Sequence, residues 1–134
     1  MLAGFGCAPD AAVDLPTSPP VNAPPHAPYF IAYSSVEHEK ALGEGRVTLL
    51  FFTSGASGNA LLPRIAQVVK RMDFPVAGFA ADYDSFAELK RTFNVNYPNT
   101  VIILDGKGDE VIRHTGAESP FFIEAGLRRA AGGG

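Results

Sequence analysis

Hydrophobic and polar positions along the chain alternate between two spacings, and the change of spacing marks out the elements. Pro28 to Tyr33 is aromatic and β-branched, which predicts a short strand. The next stretch runs from Ser34 to Leu42 and predicts a helix. Ser34 followed by Glu37 has capping-box spacing, Ser35 followed by His38 is the alternative start, and Gly43 and Gly45 end it. Val47 to Phe52 is a continuous apolar run, as expected of a strand covered on both faces. Leu61, Leu62, Ile65, Val68, Val69 and Met72 then recur at helical spacing, with Pro63 expected within the first two turns. Pro75 to Ala81 predicts a third strand. A short helix follows, with Ser85 and Glu88 as its capping box and Phe86, Leu89 and Phe93 as its apolar face. Thr100 to Leu104 and Glu110 to His114 flank Asp105-Gly106-Lys107-Gly108-Asp109, a hairpin pattern. Ser119-Pro120 predicts the start of a last helix, with Ile123, Leu127 and Phe122 facing inward.

The first 28 residues follow neither spacing. They hold seven of the eleven prolines (Pro9, Pro16, Pro19, Pro20, Pro24, Pro25 and Pro28), and the chain has no Lys or Arg before Lys40. Proline removes a backbone donor and fixes φ, so this segment is excluded from helix interiors and central strands. The chain therefore divides into a proline-rich arm or tether at 1–28, a folded domain at 29–131 and a glycine tail at 132–134. The strand–helix order, with two parallel crossovers, predicts an α/β fold: a central mixed sheet with helices on both faces.

Composition narrows the chemistry. With 134 residues, 46% hydrophobic and 19% charged, the chain is an ordinary globular domain able to bury a core. A net charge of −3 and basic residues in isolated pairs (Lys70-Arg71, Lys90-Arg91, Arg128-Arg129) give no nucleic-acid signal. Those pairs fall near helix C-termini, where they complement the helix dipole. Cys7 is the single cysteine, so there is no intrachain disulfide. Asp82, Asp84, Asp105 and Asp109 lie in turns, where aspartate serves the backbone, and no His/Cys cluster accompanies them; no metal and no cofactor are expected. Ser57 has no histidine in a segment expected beside it, which argues against a hydrolase.

The run Val47 to Asn59 resembles the strand–loop–helix of the thioredoxin-like family, in which a hydrophobic strand leads to Cys-x-x-Cys at a helix start. Pro63, the segment Ala81 to Val95, Tyr97-Pro98-Asn99-Thr100 and Gly116 match further family positions in order. The resemblance covers about 29–130 and implies a three-layer α/β/α sandwich. It places Ala56 and Asn59 where the cysteines would stand, so Gly55, Ala56, Ser57, Gly58 and Asn59 form a degenerate redox loop. It implies a cis-proline at Pro98, with Tyr97, Pro98, Asn99 and Thr100 bordering a groove for extended peptide. The family's Pro-Thr is one residue longer here, as Pro98-Asn99-Thr100. The local alternative is that Ser57 or Asn59 simply caps the helix.

Thiol–disulfide exchange needs a thiolate and a resolving sulfur, which Ala56 and Asn59 cannot supply. The expectation is a redox-inactive, non-enzymatic accessory or scaffolding subunit that binds a protein partner or joins a multi-subunit assembly. The alternatives are a thiol–disulfide oxidoreductase or redox chaperone using Cys7, or a chaperone gripping peptide at the Pro98 groove. Gly6-Cys7-Ala8 followed by a proline linker resembles a lipoprotein signal end, although Gly4 stands where that pattern wants leucine and no basic or full apolar region precedes it. Lipidation at Cys7 would favour an extracytoplasmic, membrane-associated location over a cytoplasmic one.

Overall fold

A computed structural model describes residues 15–116 and 120–132. Cys7, the first half of the arm, the Ser119 cap and the end of the glycine tail lie outside the described residues. The elements are β1 (Tyr29–Ala32), α1 (Ser35–Gly43), β2 (Val47–Thr53), α2 (Gly55–Arg71), β3 (Val76–Asp82), α3 (Ala87–Phe93), β4 (Thr100–Leu104), β5 (Glu110–Thr115) and α4 (Pro120–Ala131).

The five strands form one sheet in the order β1-β3-β2-β4-β5. β1, β3 and β2 are parallel, whereas β4 runs antiparallel to β2, and β5 to β4. β2 is central and, Thr48 and Thr53 apart, apolar, and its alternating side chains feed two cores. Val47, Leu49 and Phe51 meet α2 and α4 through Leu62, Ile65, Ile123 and Leu127. Leu50 and Phe52 meet the opposite layer, with Ala41 of α1 and Leu89 and Phe93 of α3. The expected three-layer α/β/α sandwich with a mixed sheet is therefore what the chain forms.

The helix starts differ in part from the sequence reading. Ser34 caps α1, its hydroxyl accepting from the Glu37 amide at 3.3 Å, so Ser35 does not. The Ser85 hydroxyl donates to Asp82 at 2.7 Å, and α3 begins later, with Phe86 in the cap position and no side-chain cap. α3 is instead held at its other end. Arg113 of β5 donates to the carbonyls of Phe93 and Asn94 at 2.6 and 2.9 Å, and Asn94 closes the helix in the left-handed region that asparagine tolerates. α2 begins at Gly55, which puts Pro63 in the third turn rather than the first two. Its missing amide leaves the Asn59 carbonyl without its usual intrahelical donor.

Residues 15–28 lie against the domain. Pro16 accepts the Ala32 amide at 2.9 Å at the outer edge of β1, and Leu15 packs against the α2-side core. The buried Arg46 guanidinium donates to the carbonyls of Ala27 at 3.1 Å and Pro25 at 2.9 Å.

Candidate functional site

The site forms where three chain segments meet at the C-terminal end of β2. The loop residue Asn99 joins them. Its amide donates to the Phe52 carbonyl at 2.6 Å, and its carbonyl accepts the Gly116 amide at 2.8 Å. Its side-chain oxygen accepts the Ser54 amide at 3.0 Å. Asn99 adopts φ 58°, the left-handed region in which asparagine is one of few comfortable side chains. Asn99 thus turns the loop back and ties β2, the start of α2 and the end of β5 together.

This arrangement corrects the expected geometry at Pro98. Among the described residues there is no cis peptide bond. The additional residue, Asn99, makes the turn through its own backbone instead. Thr100 is buried rather than lining a groove, and its hydroxyl bonds the Tyr97 carbonyl at 2.8 Å and the Thr115 hydroxyl at 3.1 Å.

The degenerate loop is the first turn of α2. Gly55, Ala56 and Ser57 are exposed, Asn59 is half-buried and Gly58 is buried. Neither Ser57 nor Asn59 caps the helix, because the cap position belongs to Ser54, which makes no side-chain cap bond. Gly58 has a packing reason to be glycine. A Cβ there would collide with the Thr53 hydroxyl and come within 2.8 Å of the Asn99 side-chain oxygen. The loop and the Asn99 turn are therefore fitted to each other.

Beside them, Ser57, Ala60, Leu61, Arg64, Asn99 and Gly116 line an open groove of about 410 Å³. Aromatic side chains stand exposed at the same end of the sheet: Tyr97 is 64% exposed and Phe121 is 81% exposed. Phe122, expected inward, is 39% exposed and packs on His114 with ring centroids 4.4 Å apart. His114 is the histidine nearest this end, yet among the described residues no hydrogen bond joins it to Ser57, and no shared geometry for proton transfer is present.

A second buried polar feature lies on the α1–α3 side. His38 receives or gives a hydrogen bond with the Tyr33 hydroxyl at 2.9 Å through Nδ1, while Nε2 is buried without a partner among the described residues. Its ring sits among Phe79, Phe93 and Tyr33. Burial pushes its pKa below the ordinary histidine value, against a smaller opposing effect of Glu39. The sequence offered His38 only as a partner for a cap. Its burial follows from its place on the inner stripe of α1 beside Ala41.

The sheet order and the layering define a class, the α/β/α sandwich with a four-helix cover. Within that class the chain has the thioredoxin-like fold, as solved structures show. A thioredoxin-like protein (Trxlp) from Edwardsiella tarda superposes with a TM-score of 0.64 at 19% identity, over 72% of this chain and 95% of the other. A mutant thioredoxin from Halobacterium salinarum gives 0.65 at 18% identity, over 81% and 95%. An exposed lipoprotein thioredoxin from Streptococcus pneumoniae gives 0.57 at 16% identity, over 66% and 89%. No family model and no curated protein sequence matches the chain.

Proposed function

We propose that this chain is a non-catalytic member of the thioredoxin-like fold that serves as an accessory or scaffolding subunit, binding a protein partner at the end of the sheet that carries the degenerate loop. The observation behind this reading is a sulfur-free loop at the same end of the sheet as two exposed aromatic side chains. Ala56 and Asn59 offer no nucleophile, whereas Tyr97 and Phe121 present large apolar surface to solvent. Exposed aromatics are what protein interfaces use as anchors.

The mode of binding follows from Asn99. Strand addition needs free backbone donors and acceptors along the docking edge. The amide and carbonyl of Asn99 and the carbonyl of Tyr97 are already engaged within the domain. The groove therefore favours side-chain contacts over backbone pairing, which counts against the reading as a chaperone for extended peptides. A place in a membrane-associated complex, through Cys7 or the arm, belongs to the same proposal. The likeness to a pneumococcal lipoprotein thioredoxin fits that location.

A photoreactive amino acid at Tyr97, introduced in the native host, tests the proposal. We expect a discrete cross-linked adduct that a probe at Val36 of α1, which is slightly more exposed, does not give. Equal labelling from both positions would overturn it.

A further inference from the structure

The arm sits in a receptor built for it. Arg46 is only 4% exposed, yet its guanidinium is surrounded by acceptors. It donates to the Pro25 and Ala27 carbonyls at 2.9 and 3.1 Å and to Glu44 at 2.8 Å, and it lies over the Tyr29 ring at 5.1 Å. A buried guanidinium stripped of its partners is strongly unfavourable, and two of its three acceptors belong to the arm. Residues 24 and 25 are both proline, so the segment is already stiff and loses little freedom on docking. Pro19, Pro20 and Pro24 line the same cleft with Lys40 and Glu44.

The route of this segment also has a direction. Residues 24–27 lie at the start of β2, where Arg46 stands. Pro16 lies at Ala32, the last residue of β1, and Ala32 is level with Ala80 and, through it, with Phe51. Followed upstream from β1, the chain therefore climbs the open edge of the sheet towards the groove end. Proline along an edge also blocks further strand pairing there.

We propose that Tyr29, Glu44 and Arg46 form a receptor for proline-rich chain, that its occupant is the protein's own residues 16–27, and that this strap delivers whatever precedes Leu15 to the groove end of the sheet. An attachment made through the N-terminal residues would then face the groove rather than the opposite end. This inference concerns the arm alone and stands whether or not the groove binds a protein.

The single cysteine provides the test. Cys7 is joined to Leu15 by a stretch that spans at most about 29 Å, and the seven residues of β2 are about 23 Å long. A nitroxide on native Cys7 of the isotope-labelled protein should broaden the amide resonances of Gly58 and Asn99 more than those of Lys107 and Gly108 at the opposite end. Equal broadening of both ends, or stronger broadening at Lys107, would overturn the strap. In a mixture of unlabelled nitroxide-bearing protein with isotope-labelled protein lacking it, broadening at Gly58 would mean that a second copy fills the receptor, which also overturns the proposal. Arg46→Ala should equalise the two ends. Arg46→Lys, which keeps the charge but loses the planar fork, should do so in part and guards against a variant that fails to fold. The unaltered wild-type pattern in both variants would remove Arg46 from the account.

Discussion

The side-chain oxygen of Asn99 accepts the Ser54 amide at 3.0 Å, so a loop residue satisfies the cap position of a helix 45 positions earlier. Four amides at a helix N-terminus have no intrahelical acceptor, and Ser54 makes no cap with its own hydroxyl. Asn99 takes up the amide of the cap residue itself from across the site, as the third-position side chain of a capping box does locally. The same side-chain oxygen lies 2.8 Å from where a Cβ on Gly58 would stand.

Asn99→Gly keeps the left-handed backbone accessible but removes the acceptor, and should cost about 1 kcal/mol. Asn99→Ala removes the acceptor and also strains φ, for a total of about 2 kcal/mol. Urea denaturation of both variants checks the order. Equal losses would mean that only the hydrogen bond matters.

Gly58→Ala should also destabilise, because its methyl meets the Thr53 hydroxyl and the Asn99 side chain. A loss of about 1–3 kcal/mol is expected by chemical denaturation, typical of overpacking. Combined with Asn99→Gly, which clears one of the two obstacles, the loss should be less than additive.

Thr48 is fully buried in β2 and its hydroxyl has no partner among the described residues. Thr48→Val replaces that hydroxyl with a methyl of similar size and should raise stability by about 1 kcal/mol. A higher thermal midpoint checks it, and a lower one would show that the hydroxyl finds an acceptor in solution.

His38 makes stability depend on pH in a defined window. Burial lowers its pKa in the folded state, so near and below pH 6.5 the unfolded chain binds a proton that the folded chain resists. Stability is complete above the unfolded value and declines as pH falls through it. Tyr33 and Glu39 are the titratable groups beside the ring; Tyr33 is itself shifted upward by burial, away from this window. The carboxylates Glu44 and Glu110, held down by hydrogen bonds from Arg46 and Arg113, act only at lower pH. Denaturation midpoints at pH 7.5 and pH 5.5 should differ for the wild type, and the difference should shrink in His38→Leu.

Much of this architecture was legible because burial imposes a period. The apolar run Val47 to Phe52 could only be a strand covered on both faces, and the α2 stripe from Leu61 to Val69 could only be a helix face. That the helix after β2 starts near Gly55 was legible from the strand–loop–helix pattern, and neither Ala56 nor Asn59 carries sulfur. The roles of Asn99 and Arg46 were not, because both depend on contacts distant in sequence that no local pattern encodes. Asn99 reads as one more polar turn residue, and the insertion beside Pro98 was the visible sign that the loop is built differently. Arg46 reads as a charge before a strand, and only folding brings Pro25 and Ala27 to its guanidinium. Phe122 was placed inward by helical spacing, but His114 of β5 provides a ring for it to pack on at the surface.

Disulfide reduction by the intact protein tests the account most directly. The purified chain, supplied with a dithiol reductant and an insulin substrate, should reduce disulfides no faster than the reductant alone, and Cys7→Ser should behave identically. Reduction above that background, abolished by Cys7→Ser, would show that the lone thiol is catalytic and would contradict a purely binding role.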